Sequence, residues 1–512
     1  MNLLSGKPPE RGDQRRWLFF VAFYAILTNL PFWLACPAIG LLRNGWFCLE
    51  YAAVGLVALF VPGILASLLI FTLVAADIVC AISRTYYLPP TECLGNLSTL
   101  RNLSGGRLLT VGEVVALTAL VSIIAAILPA AKIRGIHRKR AAGCLIAFVA
   151  ALLVADYASM AHALGRISNP FRSVESSDSV KLSYLQRPRL SRPALILLLH
   201  AENGFYGLRA AARTLPKTAS VVPSAAAAAL RASGLTAAQN KQQMTNLVVI
   251  LVESWGLAKD SAIGNALVQP YLQADLLARY KVFQDTVPFY GPTVAGEARE
   301  LCGSKMGFHL LDASSQELKE CLPQRLVGQG YHSMALHGMD GNFFDRTRWY
   351  GTAGFQEQFF RDQFRQQGLA DCADVFHGTC DTAIANWIRH RLESTDKDPD
   401  FVYWVTLNSH LPVPIPSPLA APAPCSVTRF LSQQPALCSW YQLVSNVHRS
   451  VSKIALGKLG RPTVFAIVGD HAPPFSTPSL RGQFSDAVVP YVLLIPRQPQ
   501  LSVLRASSIS SR

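Results

Sequence analysis

Two apolar runs in the second half of the sequence, NLVVILVESWG and TVFAIVGDHAPP, each end on residues that bind metal ions. Glu253 closes the first, and Asp470 with His471 closes the second. An acid and an imidazole side by side suit a divalent ion, zinc or manganese first and magnesium third. Continuous runs rich in Val and Ile read as parallel strands covered on both faces, and ligands in such sheets bind just beyond the strands' carboxyl ends. Two carboxylates and an imidazole are therefore expected in one crevice. Alone, Glu253 could equally be an acid favoured by a helix dipole; the pairing of the two strand ends is what points to a metal.

Two further runs, 332–336 and 401–407, stop within three residues of His337 and His410. Together the four runs suggest a single active-site rim at the carboxyl edge of one sheet. Downstream of the first strand, GPTVAGEARELCG offers Thr293 in a Gly-Pro turn that leads into a helix. A hydroxyl there faces the positive end of the helix dipole and free amide donors, which favour a phosphate or sulfate close by. Metal coordination would turn it into a competent nucleophile. The competing role is a helix cap with Glu297 as partner, and spacing alone leaves both open.

The order of a Glu at a strand end, a Thr at a turn, a distal Arg, a His after a third strand and a late Asp-His pair resembles the sulfatase and alkaline phosphatase superfamily. Within it, the chain is similar to the membrane-anchored lipoteichoic acid synthase and to periplasmic phosphoglycerol or phosphoethanolamine transferases. The resemblance implies that Glu253, Thr293, Asp470 and His471 hold the metal and that Thr293 is the nucleophile. In HGMDGNFFDR it implies a substrate loop carrying His337, Asp340, Phe344 and Arg346, with Arg346 clamping phosphoryl oxygens, since a guanidinium fork suits phosphate. His410, in TLNSHLP, would protonate the leaving oxygen or hold the phosphate. The synthase has Trp where Phe344 stands, and its acidic loop residue is displaced here to Asp340 or lost. Thr stands where arylsulfatases carry the Cys or Ser that becomes formylglycine, and no CxPxR motif follows, which argues against sulfate ester hydrolysis by that cofactor.

Positioning these residues requires an α/β unit. From residue 246 onward apolar runs alternate with helical or polar segments, which predicts a sulfatase-like domain with a mostly parallel central sheet over 246–512. Ahead of it the chain is of another kind. Half of its 512 residues are hydrophobic and 15% are charged, and the apolar excess lies before residue 163. A membrane span takes roughly 20 apolar residues, and 17–39, 108–131 and 141–161 supply about that many. The stretch 47–82 is too long for one span and carries Pro62 and Gly63 at its middle, where two helices would turn. Lys7, Arg11, Arg15 and Arg16 precede the first span, and KIRGIHRKR lies between the last two. Since Lys and Arg stay in cytoplasmic loops, five spans keep both clusters inside and put everything later outside. A signal peptide is the competing account of the first span, but further spans follow and no small-residue cleavage site is clear.

The predicted organisation is a five-helix transmembrane domain over 1–163, a connector over 164–245 lying on the membrane surface, and the catalytic domain. The connector includes PALILLLHAENGFYGLRAA and the alanine-rich SAAAAALRA. The net charge of +15 is in part this topology signal, and without basic and aromatic interleaving it does not mark a nucleic-acid surface. Cys302, Cys321, Cys372, Cys380, Cys425 and Cys438 form three close pairs along the sequence, which in an oxidising compartment read as three local disulfides; six buried thiols are the alternative.

The resemblance implies a multi-pass protein of the bacterial inner membrane with its catalytic domain in the periplasm. It implies transfer of a phosphoglycerol or phosphoethanolamine group from a phospholipid donor to an envelope glycan or lipid through a phosphothreonine. The rivals are a phosphodiesterase or sulfuric ester hydrolase, in which water replaces the acceptor, and a non-catalytic envelope scaffold. Glu50, Asp77, Glu113 and Asp156 fall toward the outer helix ends in the five-span topology. Snorkelling to the interface accounts for them, and an acidic collar for an ammonium-bearing lipid is the alternative.

Overall fold

The computed structural model describes residues 11–39, 41–42, 45–88, 105–127, 133, 136–165, 191–192, 222–234, 245–372, 376–394, 398–413, 415 and 424–497. The first part is helical: α1 (Arg11–Ala25), α2 (Leu30–Ile39), α3 (Leu49–Ala58), α4 (Gly63–Tyr86), α5 (Gly105–Ile127) and α6 (Ile136–Gly165). These helices share a hydrophobic core of their own, built around Phe20, Tyr24, Tyr51, Ile70, Val74 and Leu145. Between α3 and α4 the chain turns as expected at Pro62, which N-caps α4. Gly63 follows because α4 and α5 touch there: a Cβ would run into the carbonyl oxygen of Ala126.

Among the described residues, three helices are long and apolar enough to cross a membrane: Arg15–Leu34, Gly63–Tyr86 and Ile136–Ala158. The five expected spans are thus met by three at full length. Helix α3 has ten residues and so reaches about 15 Å, half the hydrocarbon thickness; α5 runs over 23 residues, Gly105–Ile127, of which Val115–Ile127 is an apolar stretch. Three of the four acids are engaged within the protein, while Glu113 is exposed. Asp77 is buried and accepts from the Tyr51 hydroxyl at 3.2 Å, Glu50 accepts from Cys48 Sγ at 3.1 Å, and Asp156 accepts from the backbone and hydroxyl of Ser191. Ser191 belongs to a two-residue strand, β2 (Ser191–Arg192), that pairs in parallel with β1 (Phe47–Cys48).

From Asn246 the architecture changes to a seven-stranded sheet. Its strands are β3 (Asn246–Val252), β4 (Tyr280–Pro288), β5 (His332–His337), β6 (Glu357–Phe359), β9 (Asp400–Val405), β10 (Thr463–Gly469) and β11 (Val488–Pro496), in the spatial order β4-β11-β10-β3-β9-β5-β6. A short antiparallel pair, β7 (Asp371–Cys372) with β8 (Gly378–Thr379), lies apart. β10, β3, β9, β5 and β6 run parallel, and β11 is antiparallel to both its neighbours. Every residue of β3, β9 and β10 is buried, as expected of strands covered by helices on both faces.

Between the sheet strands run four helices that matter for the site: α7 (Thr293–Cys302), α8 (Arg346–Ala353), α9 (Asp381–Leu392) and α10 (Pro435–Ala455). The segment PALILLLHAENGFYGLRAA lies outside the described residues. The alanine-rich stretch packs on the catalytic-domain sheet. Ala225–Ser233 is a helix packed on β10 and β11, with Ala225, Ala226 and Ala229 inside the main core; small side chains let a helix lie close on a sheet. The six extramembrane cysteines pair as neighbours: Cys302 with Cys321, Cys372 with Cys380, and Cys425 with Cys438.

Candidate active site

Register brings the carboxylates together. Val252 pairs with Gly469 and Leu251 with Val405, while His337 pairs with Val405 from the other side. The residues following these partners therefore leave one sheet edge side by side. Beyond β3 the backbone turns abruptly at Ser254, whose φ of 58° is left-handed, a conformation that strains a residue bearing a Cβ. The turn is held from every side. Ser254 N–H donates to Asp470 Oδ1 at 2.7 Å and its hydroxyl to Glu253 Oε1 at 2.8 Å. Its carbonyl accepts from Trp440 Nε1 at 2.9 Å, and Ser409 donates to the Glu253 carbonyl at 2.6 Å.

Glu253, Asp470 and His471 are all buried, and a ligand atom from each lies within 4.8 Å of the other two. His471 Nδ1 stands 3.0 Å from the Ala472 carbonyl. A carbonyl only accepts, so Nδ1 carries a proton, and Nε2 is left to face Glu253 Oε1 at 3.6 Å and Asp470 Oδ2 at 3.3 Å. Burial and the Glu253 carboxylate beside it push Asp470 up to about 7, with His471 opposing. Two adjacent buried carboxylates and an imidazole are a donor set that fits a divalent cation.

Thr293, the first residue of α7, completes the cluster. Its hydroxyl lies 3.2 Å from Glu253 Oε2 and 3.1 Å from Asp470 Oδ2. The N-cap of α7 is Pro292, with no side-chain cap, and Glu297 is engaged elsewhere, so the capping role weighed for Thr293 does not hold. Gly296 lets the helix come this close: a Cβ there would stand 3.2 Å from that of Asp470. Arg299, on the same helix, donates to the Gly469 carbonyl at 2.7 Å and pins the end of β10.

The loop ahead of Arg346 carries backbone strain. Phe344 and Asp345 both adopt left-handed φ, 54° and 50°, immediately before Arg346 opens α8. Arg346 is fully buried and bound to Glu297, through Nε at 3.0 Å and Nη2 at 2.7 Å, while Tyr350 donates to the other Glu297 oxygen at 2.7 Å. Its remaining fork nitrogen, Nη1, donates to the Phe343 carbonyl at 3.3 Å. Phe344 is buried against Phe343 and Phe308, with the Arg346 guanidinium 5.4 Å from its ring centroid. Asp340 is exposed, and it accepts from the backbone and side chain of Asn342 at 2.9 Å; it closes its own turn and makes no described contact with the cluster.

His337 Nδ1 faces the Val405 carbonyl at 3.0 Å, and burial, then the Arg346 charge, hold its pKa well below the usual value. His410 is set by Asp381, the first residue of α9, whose carboxylate accepts from the backbone of Leu407 and Asn408. Burial, then the charge of His471, lowers His410 to about 4. Its Nδ1 is buried and has no hydrogen-bond partner among the described residues. Its ring meets Phe376 edge-on at 4.4 Å and lies nearly parallel to Tyr86 of α4 at 5.9 Å.

The sheet edge thus joins Glu253, Thr293, Asp470 and His471 directly, with His337, His410 and Arg346 electrostatically coupled around them. Ser254, Asp381 and the Tyr86 contact were not foreseen. A Ser beside the first acid was visible in the sequence, but the other two are joined to the site only by the fold.

Residues 245–503, half of the chain, match the family model described as Sulfatase. No curated protein matches. Among solved structures, the lipoteichoic acid synthase LtaP from Listeria monocytogenes is similar at 14% identity and a TM-score of 0.36, over 54% of this chain and 72% of that one. A protein in the alkaline phosphatase superfamily from Vibrio parahaemolyticus is similar at 17% identity and a TM-score of 0.35, over 57% and 67%. The Streptococcus pyogenes phosphoglycerol transferase GacH, in complex with sn-glycerol-1-phosphate, is similar at 13% identity and a TM-score of 0.34, over 54% and 76%.

Proposed function

Because the chain belongs to the sulfatase family, we propose that it transfers a phosphoglycerol or phosphoethanolamine group from a phospholipid to an envelope glycan or lipid. The observation that carries this reading is the Thr293 hydroxyl held 3.1 and 3.2 Å from two buried carboxylates. A threonine there supports phosphoryl transfer over sulfate ester hydrolysis by formylglycine, which needs Cys or Ser at that position.

Glu253, Asp470, His471 and the Thr293 oxygen would hold a divalent ion, zinc or manganese before magnesium. Bound there, the ion supplies positive charge that lowers the hydroxyl's pKa and offsets charge on the phosphoryl oxygens. In the first step Thr293 Oγ1 gives up the proton it already directs at the carboxylates and attacks the headgroup phosphorus. The bond from phosphorus to the diacylglycerol oxygen breaks, and that oxygen takes a proton. In the second step an acceptor hydroxyl attacks the same phosphorus and Thr293 leaves with its proton restored. Only one product is present at a time in such a sequence, which gives ping-pong kinetics. His410, neutral at physiological pH because its pKa lies near 4, serves as a hydrogen-bond donor to a phosphoryl oxygen. Arg346 contributes its Nη1 and its fixed charge, with Glu297 keeping the fork in place.

The same reading takes 1–163 as a five-span domain of the bacterial inner membrane and 246–512 as a periplasmic catalytic domain, with 164–245 between them. The chain would then meet its donor at the outer leaflet. The deciding experiment is intact-mass analysis of the Thr293 peptide after incubation with mixed phosphatidylglycerol and phosphatidylethanolamine. The adduct mass names the donor. Absence of any adduct with every metal tried, together with an active Thr293→Ala variant, would refute the covalent route. Turnover that does not depend on an added acceptor would make the protein a phosphodiesterase.

A further inference from the structure

Helix α4 ends on the catalytic centre. Its last residue, Tyr86, lays its ring over His410, with centroids 5.9 Å apart and planes 25° from parallel. Its C-cap, Tyr87, takes a left-handed φ of 57° and turns its ring to 5.6 Å from His471 and 5.8 Å from Phe289. Arg481, eleven positions beyond Asp470 in sequence, reaches back to the helix. Its Nη1 donates to the Thr85 carbonyl at 3.2 Å and its Nη2 to the Arg84 carbonyl at 3.1 Å. The same guanidinium lies 4.5 Å from the Tyr87 ring centroid. A cation on the last carbonyls of a helix is favoured by hydrogen bonding and by the dipole, and its position over a tyrosine ring adds a cation–π attraction. Arg481 is itself buried, so this joint is part of the packed structure.

We infer that the end of α4 is one wall of the donor site, with Tyr86 and Tyr87 facing the catalytic histidine and the metal-binding pair, and with Arg481 as the positioning residue that latches them there. The inference rests on the lipid-donor reading above. A diacyl phosphodiester must bring its phosphorus to Thr293 while its acyl chains stay in hydrocarbon. A wall supplied by an apolar helix places both ends of such a molecule along one continuous surface. Tyrosine suits that boundary, having an apolar body and a polar tip. A small water-soluble phosphodiester needs only the metal cluster and Thr293, so it has no use for the wall. Tyr87 also lies against the metal-binding His471, so loosening it would free that side of the cluster.

The test uses the full chain in nanodiscs of phosphatidylglycerol and phosphatidylethanolamine, as wild type, Arg481→Gln and Arg481→Lys. Diacylglycerol release, hydrolysis of bis(4-nitrophenyl) phosphate and the rate of metal loss to EDTA are measured on each. Arg481→Gln, having lost hydrogen bonds from a charged group, is expected to lose about tenfold or more in lipid turnover and to change soluble-ester hydrolysis by less than about twofold. It should also release its metal several-fold faster. Arg481→Lys, which keeps a charge and donors for the helix carbonyls, should recover most of the lipid turnover, and it carries the comparison if the Gln variant does not fold. Equal losses on both esters, unchanged lipid turnover or an unchanged rate of metal loss would overturn the inference. A wild type that consumes no lipid would sink the lipid-donor reading alone, and the metal-loss comparison would still decide whether α4 covers the site.

Discussion

Val252 and Gly469 are register partners on adjacent parallel strands, so Glu253 and Asp470 leave the sheet side by side although 217 positions separate them. The Thr293 hydroxyl touches both. The chemistry expected of this protein arises from that contact.

Thr293→Ala should remove the covalent step. Diacylglycerol release is expected to fall at least about a thousandfold, with no headgroup adduct on the corresponding peptide, while Thr293→Ser keeps a hydroxyl and retains measurable turnover. Comparable activity in the Ala variant would mean that water attacks directly.

Metal affinity should depend on pH through Asp470. Its carboxyl is held up at about 7 by burial and by Glu253, and a proton must leave before a cation binds. Below pH 7, affinity should fall about tenfold per unit, with one proton released per ion, and it should level off above. The sign for stability is opposite in the metal-free protein. A raised carboxyl pKa favours the folded state at low pH, and that contribution is lost as pH climbs from the unfolded value toward 7. Calorimetric titration in two buffers of different ionisation enthalpy counts the proton, and a pH-independent affinity between 5 and 7 would contradict the assignment.

Glu297→Ala should be among the costlier substitutions in the domain. It strips the buried Arg346 of two hydrogen bonds and Tyr350 of its acceptor, and an uncompensated buried charge costs about 3 to 5 kcal/mol. Denaturant unfolding followed by Trp fluorescence would measure it. A change below about 1 kcal/mol would mean that water reaches the site.

Acid sensitivity should trace in part to His448. Burial holds its pKa at about 3, so the folded state keeps it neutral while the unfolded chain protonates near 6.5. Its contribution is full above that value and is lost as pH falls toward 3, with a limiting slope of about 1.4 kcal/mol per unit. His448→Phe should flatten the stability profile between those limits, as read from midpoints of urea unfolding at successive pH values; an unchanged profile would assign the slope to other groups.

The sheet and its reactive edge were legible because their signal is local. Runs such as Leu247 to Val252 are apolar throughout, and polar residues come directly after them. Thr293 was legible from its own surroundings only as a turn residue, since nothing in a helix start tells which way its hydroxyl points, and the family resemblance alone set it beside Glu253. The turn at Pro62 was read from the sequence, but the half of 47–82 ahead of it forms a helix of ten residues, too short to span. The alanine stretch was assigned to the connector because small residues carry little amphipathic pattern, although smallness is what lets Ala225 and Ala229 lie on the sheet. Arg346 was identified as a cation with phosphate geometry, yet Glu297, which holds it, lies 49 positions away on another helix.

Helix α7 begins at Thr293 and ends at Cys302, whose sulfur is bonded to Cys321. Its front is held by contacts with acidic side chains and its rear by a covalent tie to the segment that leads into the strand ending at His337. The Thr293 hydroxyl therefore sits at one end of a strut whose other end is tied only once two thiols have been oxidised. Under the proposed topology, oxidation of this pair would coincide with arrival in the periplasm, and a chain retained among reductants would carry Thr293 on an untied helix.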